Sequence, residues 1–124
     1  MTTHGDRNVS VVIPVLDEAS RIGARLAELS VMGGIGEVIV VDGGSTDDTV
    51  KIASAVRGTR VINAARGRGS QMNAGAQAAT GDVLLFQHAD VVLPADAVAW
   101  VGRALADPKV VAGAFQTRHV SDGE

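Results

Sequence analysis

Runs of Val, Ile and Leu alternate with helical patterns at a regular pace along this chain. Val9–Val15 (VSVVIPV), Glu37–Val41 (EVIVV), Thr59–Ile62 (TRVI), Val83–Phe86 (VLLF) and Val110–Phe115 (VVAGAF) read as strands. The first, second and fourth are nearly continuous in apolar residues, the mark of strands covered on both faces. Between strands, Ile22, Leu26 and Leu29, and later Val98, Val101 and Leu105, recur at helical spacing. The Ala-rich stretch Ala74–Ala79 suits a helix packed close to a sheet. Gly58 and Gly81 follow helical segments where C-terminal glycines belong. Ser45, with Asp48 three residues on, predicts a capping box opening the second helix. This alternation predicts an α/β fold: a three-layer α/β/α sandwich on a mainly parallel sheet, with short right-handed connections.

In an open parallel sheet, ligands bind beyond the C-terminal ends of the strands. At those ends this sequence places Asp17-Glu18, Asp42-Gly43-Gly44-Ser45, Asn63 through Arg68, and His88-Ala89-Asp90. Asp42 stands at a strand end before a glycine turn, where a carboxylate can meet a base or ribose. Ser45, Thr46 and Asp47 are better explained as helix caps. Arg66-Gly67-Arg68-Gly69-Ser70 precedes a helix, and arginines beside helix-terminal amides suit a diphosphate. Arg68, nearer the helix start, is the stronger candidate of the two. His88 and Asp90 end a predicted strand, where residues two apart point the same way. Asp90 suits Mg²⁺ or Mn²⁺, which prefer oxygen ligands, and His88 suits a hydrogen-bonding role. His119 receives no role.

Composition sharpens this picture. At 124 residues, 46% hydrophobic and 20% charged, the chain makes a single domain with a buried core. It has no cysteine, which removes disulfides, thiolate metal sites and cysteine nucleophiles, and fits a cytoplasmic protein. The polar stretch Met1 to Asn8 lacks the apolar segment of a signal peptide, and no apolar run suggests a membrane span. Net charge is −3, yet Thr49 to Gly81 holds Lys51, Arg57, Arg60, Arg66 and Arg68 and no acid. One localised anion site accounts for that better than a polyanion surface. Lys51, Arg57 and Arg60 read as solvated helix and loop residues. With 2% aromatic residues and no tyrosine, the stacking platforms of single-strand binders are missing, so no nucleic acid is expected.

The motifs resemble a known family. Val11-Val12-Ile13-Pro14-Val15-Leu16-Asp17-Glu18 is similar to the "hIPvhNE" opening of inverting family-2 glycosyltransferases. Val38 through Asp47 is similar to their "hhVDDGSTD". Gln71-Met72-Asn73-Ala74-Gly75, followed by Ala79-Thr80-Gly81-Asp82, is similar to their "ARNxGh…AxGDhhhFLDAD". Order and spacing agree from Val9 to Pro94, and the GRGSQMNAG and HAD variants resemble a bacterial subgroup. The resemblance implies the GT-A fold, whose nucleotide-binding half is Rossmann-like, a nucleotide-diphosphate sugar donor, an unspecified acceptor and Mg²⁺ or Mn²⁺. Pro14, Asp17, Glu18, Asp42, Arg66, Arg68, Asn73 and His88 would then surround the donor, with Asp90 on the cation. A homodimer and peripheral membrane association are both compatible with it.

Three departures stand out. Gly43 replaces the second Asp of "DDGS", His88 the first Asp of the family's DxD, and Met72 the Arg of "ARN". The stretch after Asp90 is also short, and Asp96, Asp107, Asp122 and Glu124 offer no credible general base. Residues 1–124 thus read as one donor-binding domain without its acceptor part. The exposed last strand predicts that the natural protein continues past Glu124. The alternative is a nonenzymatic nucleotide-binding or interaction module. A sugar nucleotidyltransferase lacks support, since Pro14–Ser20 holds no Gly-rich, Lys-containing loop. A dinucleotide oxidoreductase lacks its GxGxxG.

Overall fold

Alternation along the first strand sorts its side chains between two helical layers. In the computed structural model, which describes residues 8–105 and 118–119, β1 (Val9–Val15) turns Val9, Val11, Ile13 and Val15 to one face. There they meet Ile22, Leu26 and Leu29 of α1 (Ala19–Ser30), Ala53 of α2 (Thr49–Ser54), and Val98 and Val101 of α4 (Ala97–Leu105). Val12 turns the other way and joins Ile39 and Val41 of β2 (Ile35–Asp42) beneath α3 (Arg68–Ala78). Helices therefore cover both faces, as the continuous apolar strands require.

β3 (Thr59–Asn63) and β4 (Val83–Phe86) complete a four-stranded parallel sheet in the order β3-β2-β1-β4. The three-layer α/β/α sandwich is thus present. A two-residue strand that the sequence pattern did not reveal, β5 (Val91–Val92), pairs antiparallel with β6 (Arg118–His119). The predicted strand Val110–Phe115 lies outside the described residues. Among the described residues, no helix is long and apolar enough to cross a membrane.

The Ala-rich helix packs as close as expected, and it begins earlier, at Arg68. A Cβ on Gly75 would lie 2.3 Å from Val12 Cγ1 and 3.1 Å from Val41 Cγ2, so only glycine lets the α3 backbone come so near. Two turn expectations need correction. Gly81 is not a helix cap: α3 ends at Ala78, and a Cβ at Gly81 would sit 2.5 Å from both the Asn8 carbonyl and Ser10 Oγ. The Ser45–Asp48 capping box does not form. Asp48 holds the N-cap position of α2 without a side-chain cap, and Ser45 Oγ donates to Asp42 Oδ1.

Candidate functional site

The chain steps from β1 to β2 to β3 in one direction, and then β4 lands on the other side of β1. Loops leaving β1 and β4 consequently diverge and leave a crevice between them, the usual ligand site of such sheets. A cavity of about 310 Å³ lies there, lined by Pro14, Leu16, Glu18 and Arg21 from the β1 side. His88, Ala89 and Asp90 line it from the β4 side, and Arg68 and Gln71 from the first turn of α3. Of the residues singled out in the sequence, Pro14, Glu18, Arg68, His88 and Asp90 thus line one cavity. Asp17, Asp42, Arg66 and Asn73 are not among the lining residues.

Three peptide N–H groups at the entry of α1 explain how the first wall is held. Asp17 N donates to Ser45 Oγ at 2.8 Å, Glu18 N to Thr49 Oγ1 at 2.8 Å, and Ala19 N to Asp47 Oδ2 at 3.2 Å. In return, Asp17 Oδ1 accepts from Thr46 N and Asp47 N. Helix α1 has no side-chain cap of its own, so these distant residues cap it. Ser45 and Asp47 are therefore caps, as their residue types suggest, but chiefly for α1. The Thr49 hydroxyl also donates to Asp47 Oδ1, and that bond, against a smaller burial cost, holds the Asp47 carboxyl below its ordinary range; the Thr49 and Ala19 amides add to it. Asp42 is only 5% exposed, and its carboxylate accepts from Gly44 N, Ser45 N and Ser45 Oγ. It shapes its own loop.

The opposite wall is a turn, not a strand. β4 ends at Phe86, and Val91 N donates to the His88 carbonyl at 3.1 Å. That turn, rather than strand alternation, brings His88 and Asp90 to the same cavity. Two buried side chains brace it. Gln87 Nε2 donates to the Val91 carbonyl at 2.8 Å, and Arg25 Nη1 reaches the Ala89 carbonyl at 3.3 Å. Arg25 is fixed in turn by Glu28, at 3.0 Å from Nε and 2.8 Å from Nη2.

The third wall is the start of α3, an eleven-residue helix whose first residue is Arg68. Gly67 precedes it at φ 138°, a backbone open to glycine, and no side chain caps the helix. Amide-rich positive potential and a guanidinium thus adjoin the cavity, a pairing that suits phosphate oxygens. Arg21, which sequence reasoning missed, adds a second guanidinium and lies 3.5 Å from Glu18 Oε1. Its signal was faint: it stands one helical turn beyond Glu18.

Among the described residues, no three His, Asp or Glu side chains gather into a metal cage made by protein alone. Mg²⁺-type cations rarely need one, because one or two carboxylates and the substrate's own phosphates suffice. Asp90, in the same cavity as Arg68 and His88, fits that donor set.

Comparison with known proteins agrees with this fold. The chain is 35% identical over 99 residues to glucosyl-3-phosphoglycerate synthase of Mycolicibacterium paratuberculosis, covering 71% of this chain and 30% of that protein. Its fold matches the Mycobacterium tuberculosis glucosyl-3-phosphoglycerate synthase in complex with Mn²⁺, UDP and glucosyl-3-phosphoglycerate. That match has TM-score 0.70 and 33% identity, over 82% of this chain and 40% of the other. It also matches a mannosyltransferase from Pyrobaculum calidifontis in complex with GDP-Man and Mn²⁺, at TM-score 0.72 and 28% identity, over 84% and 34%. The chain therefore spans well under half the length of these relatives. The sequence profile of Glycosyl transferase family 2 matches residues 10–124. With its sheet order, its crevice and its motifs in agreement with that match, the chain belongs to glycosyl transferase family 2.

Proposed function

We propose that this chain forms the donor site of a glycosyltransferase that moves a hexose from a nucleoside diphosphate sugar to an acceptor hydroxyl. The observation that carries the reading is the meeting of Arg68, Asp90 and the Glu18–Arg21 pair around one crevice at the sheet's switch point. Uridine is the favoured base, because relatives above 30% identity are recorded with UDP.

Arg68 and the opening amides of α3 hold the diphosphate. A charge-assisted hydrogen bond there contributes about 1.5–3 kcal/mol. Its value to the reaction is greatest as negative charge accumulates on the departing diphosphate. Asp90 would hold Mg²⁺ or Mn²⁺ against the same phosphates, with His88 beside it. When bound, the cation neutralises the leaving group. Pro14 and Leu16 supply apolar lining to the crevice. Asp17 and Asp42 serve by fixing the loops after β1 and β2.

The test is release of nucleoside diphosphate from UDP-, GDP- and dTDP-hexoses, to water or to a panel of hydroxyl acceptors, with Mn²⁺ present. Release that falls in Arg68→Ala and Asp90→Asn supports the reading. A nonenzymatic module would bind the donors and leave them intact under every condition.

A further inference from the structure

One side chain at the floor of the crevice ties the ends of β1 and β2 to the residue that opens α3. Gln71 sits in the first turn of α3 and is 5% exposed. Its Nε2 donates to the Val15 carbonyl and to the Val41 carbonyl, each at 2.9 Å. Its Oε1 accepts the Gly67 N–H at 3.2 Å. Both amide hydrogens and the amide oxygen are therefore engaged. The partners are the C-terminal ends of β1 and β2 and the residue just before Arg68. A buried amide bonded this way costs little to bury and much to disturb, since each abandoned partner would be left unsatisfied.

This arrangement depends on a second residue. A Cβ at Gly43 would lie 2.8 Å from Gln71 Oε1, 2.9 Å from Cδ and 3.0 Å from Nε2. Any side chain at position 43 would push the amide off its partners. Gly43 is also one of the three places where the sequence departs from the usual family motif, which has Asp there. An Asp at 43 and a seated Gln71 cannot coexist, and the glycine keeps a negative charge off the floor of an anion site.

We propose that Gln71 is a positioning residue that latches the Gly67–Arg68 segment onto the ends of β1 and β2, and that Gly43 provides the room for it. The latch acts on donor affinity through Arg68 and the amides beside it, so the inference rests on the proposed donor site.

The experiment is a double-mutant cycle on UDP affinity, measured by calorimetry with Mn²⁺, joined to amide hydrogen exchange. Gln71→Leu keeps the bulk and removes the bonds. It and Arg68→Ala should each weaken UDP about tenfold, roughly the worth of one such bond. The double variant should be weaker than Arg68→Ala alone by less than the full tenfold, because part of what Gln71 aims is already gone. Gly43→Ala should reproduce the Gln71→Leu loss, and it guards against a Gln71 variant that fails to fold. Exchange at Gly67 to Ser70 should speed up in both. Losses that multiply in the double variant, or unchanged exchange over Gly67 to Ser70, would overturn the inference. Failure of the wild type to bind UDP would instead sink the donor-site reading, and the exchange arm would still decide whether the latch exists.

Discussion

The Asp17 carboxylate accepts the Thr46 N–H at 2.8 Å across 29 residues of sequence, while Asp17 itself sits at φ 52°. One residue thus ties the loop after β1 to the loop after β2, and does so from the left-handed region that Asp tolerates better than most side chains.

Two substitutions separate these contributions. Asp17→Ala should lower stability by about 1–2 kcal/mol, the cost of a lost capping carboxylate plus the strain of Ala at positive φ. Asp17→Gly loses the carboxylate but relieves the strain, so it should be the milder change by about 1 kcal/mol. Urea denaturation of both variants checks the order. Equal losses would show that the backbone at 17 carries no strain.

Gly75 and Gly102 make a contrasting pair. Both are helical glycines, and intrinsic propensity favours alanine at each by about 1 kcal/mol. At Gly75 a new methyl would strike Val12 at 2.3 Å, so Gly75→Ala should destabilise by about 1–3 kcal/mol. At Gly102 it meets no described atom within 4 Å, so Gly102→Ala should stabilise by about 0.4–1 kcal/mol. Thermal melts of the two proteins should move in opposite directions. A rise in both would mean that α3 does not press on β1 and β2 as described.

These particulars show what the sequence could disclose. Near-continuous Val and Ile in β1 and β2 announce a doubly covered parallel sheet, and strand ends rich in Asp, Arg and His mark its ligand rim. The preference for Arg68 over Arg66 followed from helix position and agrees with the lining of the crevice. Pairing partners far apart in the chain were not legible. Ser45 has the residue type of a local cap, yet its hydroxyl is taken by Asp42 and by the Asp17 N–H from another loop. Gln71 lay in plain view within GRGSQM, but nothing local says that its amide spans two strand ends. His88 and Asp90 line the same cavity because of a turn after β4, which strand alternation does not disclose.

Acid should loosen the opposite end of the sheet. Glu37 is pushed up by burial, but the Ser10 hydroxyl, the Thr80 N–H and hydroxyl, and the charge of Arg60 outweigh this and hold it below its ordinary 4.5. Because the folded state releases this proton more readily than the unfolded one, the stabilisation is fully present above 4.5. It is lost as pH falls from there through the depressed folded value. Glu37→Gln should therefore be less stable than wild type at neutral pH, with a gap that closes on acidification. A gap unchanged between neutral and strongly acidic buffers would show that the clamp on Glu37 does not depend on its charge.

The central claim is that the crevice between β1 and β4 binds a nucleoside diphosphate, and calorimetric titration with UDP, with and without Mn²⁺, tests it most directly. Wild type should bind UDP and bind it more tightly with Mn²⁺. Arg68→Ala should weaken binding about tenfold or more in either condition, the worth of one charge-assisted bond. Asp90→Asn should abolish the gain from Mn²⁺ while leaving metal-free binding intact. A folded protein that takes up no UDP at millimolar concentration, or one whose affinity is untouched by both substitutions, would contradict the account.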